Sequence, residues 1–358
     1  MSGKILAAVR TLRRQGIEVL YLDKQVLVLN KPNGLITQST RSCDVSKQAQ
    51  SIVPTLADLR EKLPIRSLST VHRLDKSTTG CLILTKTEAA TKSLSRQFSE
   101  RSIGKMYLAL VDTRTNAFQG KSSGLLLTGW TSDDGRPDIV PVDAPKAKRA
   151  MTDWKILASS PTHPISLLRL NLHTGLKHQL RLHCALSLQA PILGDALYTP
   201  HDRPPIALHR PSQHTFLHAS EITITRHIPY AIPSGLRKQL RKSKRIRLTI
   251  GAPLPSEFRE LCARLSIPLL DESRRGRVAI DGIPKDLFFT KQTVMADSDG
   301  GTVKDEDGVL CTTQVLPFSV PELDGHYFAC AMLQSEKSIV DAFQDHTFAK
   351  EDPPHLIM

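Results

Sequence analysis

The apolar run Cys81-Leu82-Ile83-Leu84 follows directly on a polar stretch, residues 71–80 (VHRLDKSTTG). A short apolar run bounded by a turn signal predicts a buried strand, so the polar stretch is expected to be a short loop anchored to a sheet. Asp75 lies in this loop between Arg73 and Lys76, and we expect its carboxylate to be ionised and exposed. Such a carboxylate can act as a nucleophile or a base, and capping a turn is its alternative role.

Charge is distributed unevenly along the chain of 358 residues. Residues 1–250 contain 38 Lys and Arg against 17 Asp and Glu, a net charge of +21, whereas residues 251–358 contain 10 against 18, a net charge of −8. A strongly positive surface attracts phosphate, because binding releases the counterions condensed on a nucleic acid. The first part of the chain is therefore expected to bind nucleic acid, and a solvated basic face is the alternative interpretation.

Cysteine usage and hydropathy indicate an intracellular type of protein. The six cysteines are scattered and include no Cys-x-x-Cys pair, which favours neither a disulfide framework nor a zinc ribbon. We therefore expect reduced thiols and no metal site. Since no apolar run approaches the roughly 20 residues needed to cross a bilayer, we expect a soluble protein that does not associate with membranes, and we expect a monomer.

Strand and helix patterns interleave along the chain. Alternating apolar residues predict strands within 18–30, around a turn at Asp23-Lys24, and at 105–111, 152–157 and 165–171. Helical spacing predicts helices at 49–63, after a cap at Thr87, at 178–188 with Leu182, Ala185 and Leu186 turned inward, and at 252–265. The polar residues 113–148 are expected to form a long loop. Without strict βαβ spacing, the predicted fold class is α+β with a mixed, largely antiparallel sheet.

Three further segments accompany residues 71–80. Residues 27–35 (LVLNKPNGL) contain a Lys-Pro-x-Gly turn, and residues 105–111 (KMYLALV) have the form Lys-x-Tyr-x-Ala. Residues 174–183 (TGLKHQLRLH) are followed by 191–195 (PILGD) and Tyr198, and Leu-His-Ala occurs at 217–219. This ordered set resembles, over about residues 17–255, the motifs of the RluA-type RNA pseudouridine synthases.

The resemblance implies a bisected central sheet with flanking helices and a cleft across it. It also implies an isomerase that converts uridine in RNA to pseudouridine without a cofactor. In this reaction the N1–C1′ bond breaks, the uracil turns, and C5 joins C1′. Asp75 is then the catalytic carboxylate, acting by addition to C6 of the base, by addition to C1′ of the ribose or by abstraction of a sugar proton.

The resemblance also implies roles around Asp75. Arg73 fills the space that a flipped uridine leaves, or holds a phosphate, and Tyr107 stacks on the flipped base and relays the proton lost from C5. Arg181 pairs with Asp75 and keeps it ionised and oriented. The substrate-binding set is completed by residues expected at the pocket wall or in the turn beside the cleft: His72, Lys31, His178 and Gln179.

One departure from the family pattern concerns the segment before His178. The family has Arg-Thr where this chain has Leu176-Lys177, so the cation is shifted by one position. On a regular element it then points elsewhere, which puts RNA contact at this position in doubt.

The predicted organisation has three parts. Residues 1–16 form a basic segment that is typical either of a transit peptide or of a first surface helix, residues 17–255 form the catalytic domain, and residues 256–358 form an acidic, partly disordered extension. A transit peptide predicts a mitochondrial location, and otherwise the location is cytoplasmic or nuclear. Mitochondrial large-subunit rRNA is the favoured substrate, and tRNA is the second.

Two other function classes are alternatives for this sequence. His173, His178 and His183 suggest a zinc hydrolase, but a spacing of five places successive side chains about 140° apart on a helix, unlike the i, i+4 pairs of helical zinc sites. A non-catalytic RNA-binding or ribosome-assembly protein is the stronger alternative, since it would share the fold and the basic surface.

Overall fold

The computed structural model describes residues 12, 15–37, 68–115, 118, 120–200, 214–229 and 243–285. The helix predicted at 49–63 and the chain beyond residue 285 lie outside the described residues, as does nearly all of the basic segment 1–16. No helix within the described ranges is both long and apolar enough to cross a membrane.

A single mixed sheet contains the thirteen strands of the described residues, in the order β1-β2-β4-β10-β5-β9-β8-β6-β7 along its main path. Strands β11, β12 and β13 extend it beyond β10, and β3 pairs with β4. The strands are Glu18–Leu22 (β1), Val26–Lys31 (β2), Ser69–Thr70 (β3), Thr79–Thr85 (β4), Gly104–Asp112 (β5), Ser123–Asp133 (β6), Arg136–Val140 (β7), Lys148–Ser159 (β8), Ile165–Leu172 (β9), Leu217–Pro229 (β10), Ser243–Gly251 (β11), Arg277–Ile280 (β12) and Ile283–Lys285 (β13).

Strand β10 joins the two halves of the sheet. It pairs antiparallel with β5 and parallel with β4, through His218 opposite Thr79 and Ala219 opposite Gly80. At Gly80, φ is +108°, and a Cβ there would lie 2.2 Å from the carbonyl oxygen of Ala219. Only glycine fits so close an approach. Because Gly80 ends the loop that carries Asp75, this loop meets the sheet where its two halves join. The predicted mixed, largely antiparallel sheet of the α+β class is confirmed.

Alternate residues of the strands divide the core into separate clusters. On β4, Leu82 and Leu84 pack in one cluster, which also contains Leu74 and Tyr107. Cys81 and Ile83 pack in a second cluster, which also contains Leu94. This is the two-sided burial expected of the apolar run at 81–84, because successive strand side chains point to opposite faces. The predicted strand is confirmed.

Four α-helices lie in the described residues: Glu88–Ser99 (α1), Gln179–Leu182 (α2), Ser256–Arg264 (α3) and Asp271–Arg275 (α4). The predicted cap of α1 is confirmed, because Thr87 accepts a hydrogen bond from the backbone N–H of Ala90 at 3.2 Å. The helix predicted at 178–188 is confirmed in extent, since α2 and the turn that follows it run from residue 179 to residue 187, but part of its predicted inward face is wrong. A π-helical turn, His183–Ser187, follows α2 and shifts the inward face, so His183 and Cys184 are buried and Leu186 is exposed.

The long loop predicted at 113–148 is wrong, since half of it, residues 123–140, is the hairpin of β6 and β7. Asp134 and Gly135 form its two-residue turn, both with positive φ. An Asp-Gly pair is a strong hairpin signal. Many side chains of β6 face solvent, so the segment is polar overall and its sequence resembles that of a loop.

Packing continues past residue 255, where the sequence placed a domain boundary. Phe258, Leu261 and Cys262 of α3 are buried against Leu108 and Leu110 of β5. Strand β12 then pairs antiparallel with β11. Residues 256–285 are therefore continuous with the sheet, and no break in the packing occurs at the expected boundary.

Candidate active site

A cavity of about 460 Å³ lies between three segments that the sheet brings together. The turn after β2 forms one side, the loop between β3 and β4 forms the second, and the start of α2 forms the third. Its lining includes Arg73, Asp75, His178 and Arg181, four of the residues predicted from the sequence. Volumes of this size are typical of small-molecule sites, so a nucleoside can enter.

The backbone of the Asp75 loop is bonded on both sides of the catalytic candidate. The hydroxyl of Thr37 donates to the carbonyl oxygen of Leu74 at 2.9 Å. The backbone N–H of Gly34 donates to the carbonyl oxygen of Lys76 at 2.9 Å, and Thr78 N–H donates to that of Asp75 at 3.1 Å. The Asp75 side chain is 20% exposed, so it is half-buried rather than exposed as predicted. These bonds fix the position from which it reaches the cavity.

Lys31 lies beneath the same loop. Its side chain is fully buried, and its ammonium donates to the carbonyl oxygens of Pro32 at 2.9 Å and Lys76 at 3.1 Å. Burial lowers the pKa of Lys31 to about 7, and the charge of Asp75 opposes this shift. Lys31 therefore joins the turn after β2 to the Asp75 loop from inside the protein.

His178 lies across the cavity from Asp75, with 4.0 Å between its Nε2 and Oδ1 of Asp75. It adopts a left-handed backbone conformation, φ 56°, immediately before α2. Its Nδ1 lies 2.8 Å from the hydroxyl of Tyr198. Burial lowers the pKa of His178, and burial raises the pKa of Tyr198 to about 12. A protonated Tyr198 can thus donate to Nδ1 of a neutral imidazole, which leaves the Nε2 hydrogen facing Asp75.

Arg181 does not pair with Asp75, and this prediction is corrected. Its Nε and one terminal nitrogen each donate to Asp195 at 2.6 Å, a bidentate pair that is almost fully buried. Burial alone would lower the pKa of Arg181, but the bonds to Asp195 more than offset this and raise it. The guanidinium also lies 5.0 Å from the centre of the Tyr198 ring. Arg181 lines the cavity, and its carboxylate partner is Asp195 because that side chain is nearer.

Tyr107 is buried in the cluster that contains Leu74, beside the Asp75 loop. Burial raises the pKa of its phenol, and the negative charge of Asp75 raises it further. Arg73 is exposed at the cavity entrance, two residues from Asp75. Arg73 therefore lines the cavity, whereas Tyr107 is not among the described residues that line it.

Three members of the predicted substrate-binding set are committed to contacts inside the protein. Nε2 of His72 accepts from the backbone N–H of Ile83 at 2.9 Å, and its ring stacks on Phe98. The amide of Gln179 bonds to Thr174, Leu176, Met151 and Thr152. Lys31 is bonded as described above. These bonds hold the three side chains in place within the protein.

The family departure at Leu176-Lys177 has a structural explanation. The ammonium of Lys177 donates to the carbonyl oxygen of Gly135 at 2.6 Å, in the β6–β7 turn. Its own carbonyl oxygen accepts from the indole of Trp130 at 3.0 Å. The side chain of Lys177 therefore links the β6–β7 hairpin to the segment before α2.

Sequence reasoning assigned no role to Asp195 or Tyr198, although both lie in the quoted motifs. Asp195 is 1% exposed and, besides Arg181, accepts from the backbone N–H of Leu197 at 3.1 Å. The preceding Gly194 has φ +75°, and a Cβ there would lie 2.0 Å from the carbonyl oxygen of His214. The sequence offered one signal for Asp195: it is a single carboxylate that follows a glycine in the otherwise apolar segment PILGD.

Comparison with known proteins agrees with this arrangement. The family described as RNA pseudouridylate synthase matches residues 25–186. An uncharacterised RNA pseudouridine synthase of Zymomonas mobilis is 32% identical over 249 residues, which are 68% of this chain and 96% of that protein. The chain belongs to the RNA pseudouridine synthase family, in its RluA-type branch. It is accordingly an isomerase that acts on RNA.

Two further relatives of this RNA pseudouridine synthase are informative. The mitochondrial pseudouridylate synthase RPUSD4 of Xenopus tropicalis is 29% identical over 280 residues, 72% of this chain and 83% of that protein. The solved structure of human RNA pseudouridylate synthase domain containing 4 covers 75% of this chain and 98% of its own, with a TM-score of 0.52 and 26% identity. The similarity therefore extends through most of the described residues.

Proposed function

We propose that Asp75 is the carboxylate that isomerises uridine. The observation that carries the proposal is that Asp75 alone contributes a carboxylate among the described residues that line the cavity. Its loop is bonded through consecutive carbonyls, so the side chain is preorganised for attack on the base or the sugar. Addition to C6, addition to C1′ and abstraction of a sugar proton remain three routes for the same group.

The substrate uridine must leave its stack to reach Asp75, which costs a few kcal/mol. In our proposal Arg73 at the entrance takes the vacated space or holds a flanking phosphate. Tyr107 stacks on the flipped base and relays the C5 proton after C5 has joined C1′. His178 faces the carboxylate of Asp75 with its Nε2, and Arg181 contacts the substrate from the same wall as His178.

Asp75→Asn tests the assignment. The substitution removes a nucleophilic oxygen but no phosphate contact, so conversion should fall below detection while the RNA Kd stays within a few-fold of the parent. Conversion is followed by pseudouridine-specific primer extension, and Kd by fluorescence anisotropy. Ser77→Ala, on the same loop, is the matched control and should retain activity. Near-parental conversion by the Asn variant would show that the catalytic assignment is wrong.

For the substrate, we propose mitochondrial large-subunit rRNA. The basic residues of segment 1–16 and the mitochondrial name of the Xenopus relative support the compartment. Transcriptome-wide pseudouridine mapping in cells with and without the protein tests both the compartment and the substrate RNA. Loss of sites in mitochondrial rRNA is expected, loss confined to tRNA would favour the second substrate, and no lost site would favour a non-catalytic RNA-binding role.

We further propose that the catalytic unit extends to at least residue 285 and that the acidic residues beyond it are separable. Truncation after residue 285 retains β12 and β13, which pair beside β11. It should remain soluble and active, whereas truncation after residue 255 removes buried α3 and should aggregate. Analytical gel filtration and a conversion assay compare the two. If the two truncations are equally soluble and equally active, the proposed extent of the catalytic unit is wrong.

A further inference from the structure

Four buried polar side chains form a hydrogen-bonded network behind the wall that carries His178. The members of this Gln179 network are each at most 3% exposed: Thr152, Thr174, Gln179 and His183. A buried polar group is costly unless it is hydrogen-bonded, and a fully bonded network stabilises one arrangement of the elements that it joins. The partners of these side chains therefore indicate what the network holds in place.

The side chain of Gln179 uses all of its hydrogen-bonding capacity. Its Oε1 accepts from the hydroxyl of Thr174 at 2.7 Å and from the backbone N–H of Leu176 at 3.2 Å. Its Nε2 donates to the carbonyl oxygen of Met151 at 3.1 Å and to the hydroxyl oxygen of Thr152 at 3.0 Å. An amide has two donor and two acceptor positions, so its orientation is fixed. Gln179 thereby ties the segment before α2 to β8.

His183, the first residue of the π-helical turn, extends the network to β6. Its Nδ1 lies 3.0 Å from the hydroxyl of Thr152, and its Nε2 lies 3.0 Å from the hydroxyl of Thr128. Burial lowers the pKa of His183 to about 4, so its imidazole is neutral at neutral pH. Thr152 accepts from Gln179 and can donate its own hydrogen to Nδ1, which leaves the Nε2 hydrogen for Thr128. The hydrogen bonds then run in one direction, from Gln179 to Thr128.

The network closes the turn that contains His178. The backbone of His178 is left-handed, φ 56°, a conformation that is strained for a residue with a Cβ and persists only where neighbouring contacts hold it. Leu176 and Gln179 supply such contacts. The Leu176 N–H donates to the side chain of Gln179, and the Leu176 carbonyl oxygen accepts from the Gln179 N–H at 3.2 Å. This closed turn sets the position from which Nε2 of His178 faces Asp75.

We propose that Thr152 and His183 are positioning residues for the isomerisation. Through the amide of Gln179 they hold the turn at His178, so that its imidazole faces Asp75. Neither Thr152 nor His183 is among the described residues that line the cavity, so both act on the reaction indirectly. The inference rests on the proposed function, in that His178 acts beside the carboxylate of Asp75.

The first test removes single hydroxyls in the full chain and measures conversion of a stem–loop RNA that the parent converts. Thr152→Val keeps the size of the buried side chain but loses its bonds to Gln179 and His183. It should lower kcat roughly five-fold, the equivalent of one typical hydrogen bond, and leave the KM for RNA unchanged because no RNA contact is lost. Thr152→Ser keeps the hydroxyl and should restore most of kcat. Thr128→Val, at a half-buried position, should lower kcat by a smaller factor.

A double-mutant cycle with His178→Ala separates positioning from a general loss of folding. His178→Ala removes the imidazole itself and should lower kcat by more than Thr152→Val does. In that background Thr152→Val should have no further effect on kcat, because the group that the network positions is gone. Equal decreases in the two backgrounds, or parental kcat in both Thr152→Val and Thr128→Val, would overturn the proposal.

Thr249→Val is the matched control. It removes a half-buried hydroxyl on β11 that bonds to the hydroxyl of Thr223 at 2.9 Å. Because this pair lies outside the Gln179 network, kcat should stay at the parental value. A decrease as large as that of Thr152→Val would mean that loss of any such hydroxyl slows the reaction, and the proposal would be wrong.

Hydrogen exchange measured by mass spectrometry separates this inference from the proposed function. Thr152→Val should speed exchange within residues 174–182 and leave the peptide that contains Asp75 unchanged. If exchange and kcat both stay parental while His178→Ala lowers kcat, the inference is wrong and the role of His178 stands. If Asp75→Asn still converts uridine while Thr152→Val speeds exchange and lowers kcat, the catalytic assignment fails and the positioning of His178 stands.

Discussion

The loop that carries Asp75 and the turn that carries His178 and Arg181 face each other across the cavity, and different kinds of contact hold them. On the Asp75 side, the hydroxyl of Thr37, the N–H of Gly34 and the ammonium of Lys31 all donate to backbone carbonyls. On the opposite side, two of the contacts join one side chain to another: the hydroxyl of Tyr198 bonds to His178, and Arg181 pairs with Asp195.

This difference predicts how each wall responds to change. Backbone carbonyls do not titrate, so the shape of the Asp75 loop should persist over a wide pH range unless its donors change. The opposite wall depends on a buried charge pair, and removal of one member leaves the other uncompensated. The opposite wall should therefore be the more sensitive of the two to single substitutions.

Arg181→Met has the largest expected effect. It leaves the carboxyl group of Asp195 buried without its bidentate partner, so the free energy of unfolding should fall by about 3–5 kcal/mol. Urea unfolding followed by circular dichroism measures the loss. The double variant Arg181→Met/Asp195→Asn should lose less than the sum of the two single variants, because the uncompensated charge is gone. Additive losses would mean that the pair is not the contact that supports this wall.

The two walls also differ in how far sequence predicts them. The Asp75 loop was predictable because its cause is local, a turn of Thr-Thr-Gly followed by an apolar run. The partner of Arg181 was not, because Asp75 and Asp195 are both carboxylates and only the folded chain shows which is nearer. The π-helical turn was missed since helical periodicity assumes 3.6 residues per turn. The β6–β7 hairpin was missed because the overall polarity of residues 113–148 favoured a loop, and this outweighed the hairpin signal of the Asp-Gly turn.

Lys31→Met examines the Asp75 wall and should have an intermediate effect that depends on pH. The pKa of Lys31 is about 7 in the folded protein, below its ordinary value of 10.5. Between these values the unfolded chain binds more protons, so the stability of the parent relative to Lys31→Met should rise with pH. The limiting slope is about 1.4 kcal/mol per pH unit. Urea unfolding of both proteins at intervals across this range measures it.

Lys92→Met is the control for this pH dependence, because Lys92 is exposed on α1. Its difference from the parent should not show the slope expected of Lys31→Met. If the Lys31→Met difference is equally flat, Lys31 remains charged in the folded protein, and the Asp75 wall depends on an ionised contact as the opposite wall does.

Tyr198→Phe should have the smallest effect and sharpens the account of the opposite wall. The substitution keeps the ring beside Arg181 but removes the hydroxyl 2.8 Å from Nδ1 of His178. The imidazole then loses the donor that favours a hydrogen on Nε2 facing Asp75. A lost hydrogen bond of about 1 kcal/mol corresponds to a decrease of roughly five-fold in kcat, with the KM for RNA unchanged because no phosphate contact is lost. Tyr21→Phe is the control, since Tyr21 belongs to the second cluster and its hydroxyl bonds to Asp23. A change in KM instead of kcat would mean that Tyr198 contacts RNA directly and does not act through His178.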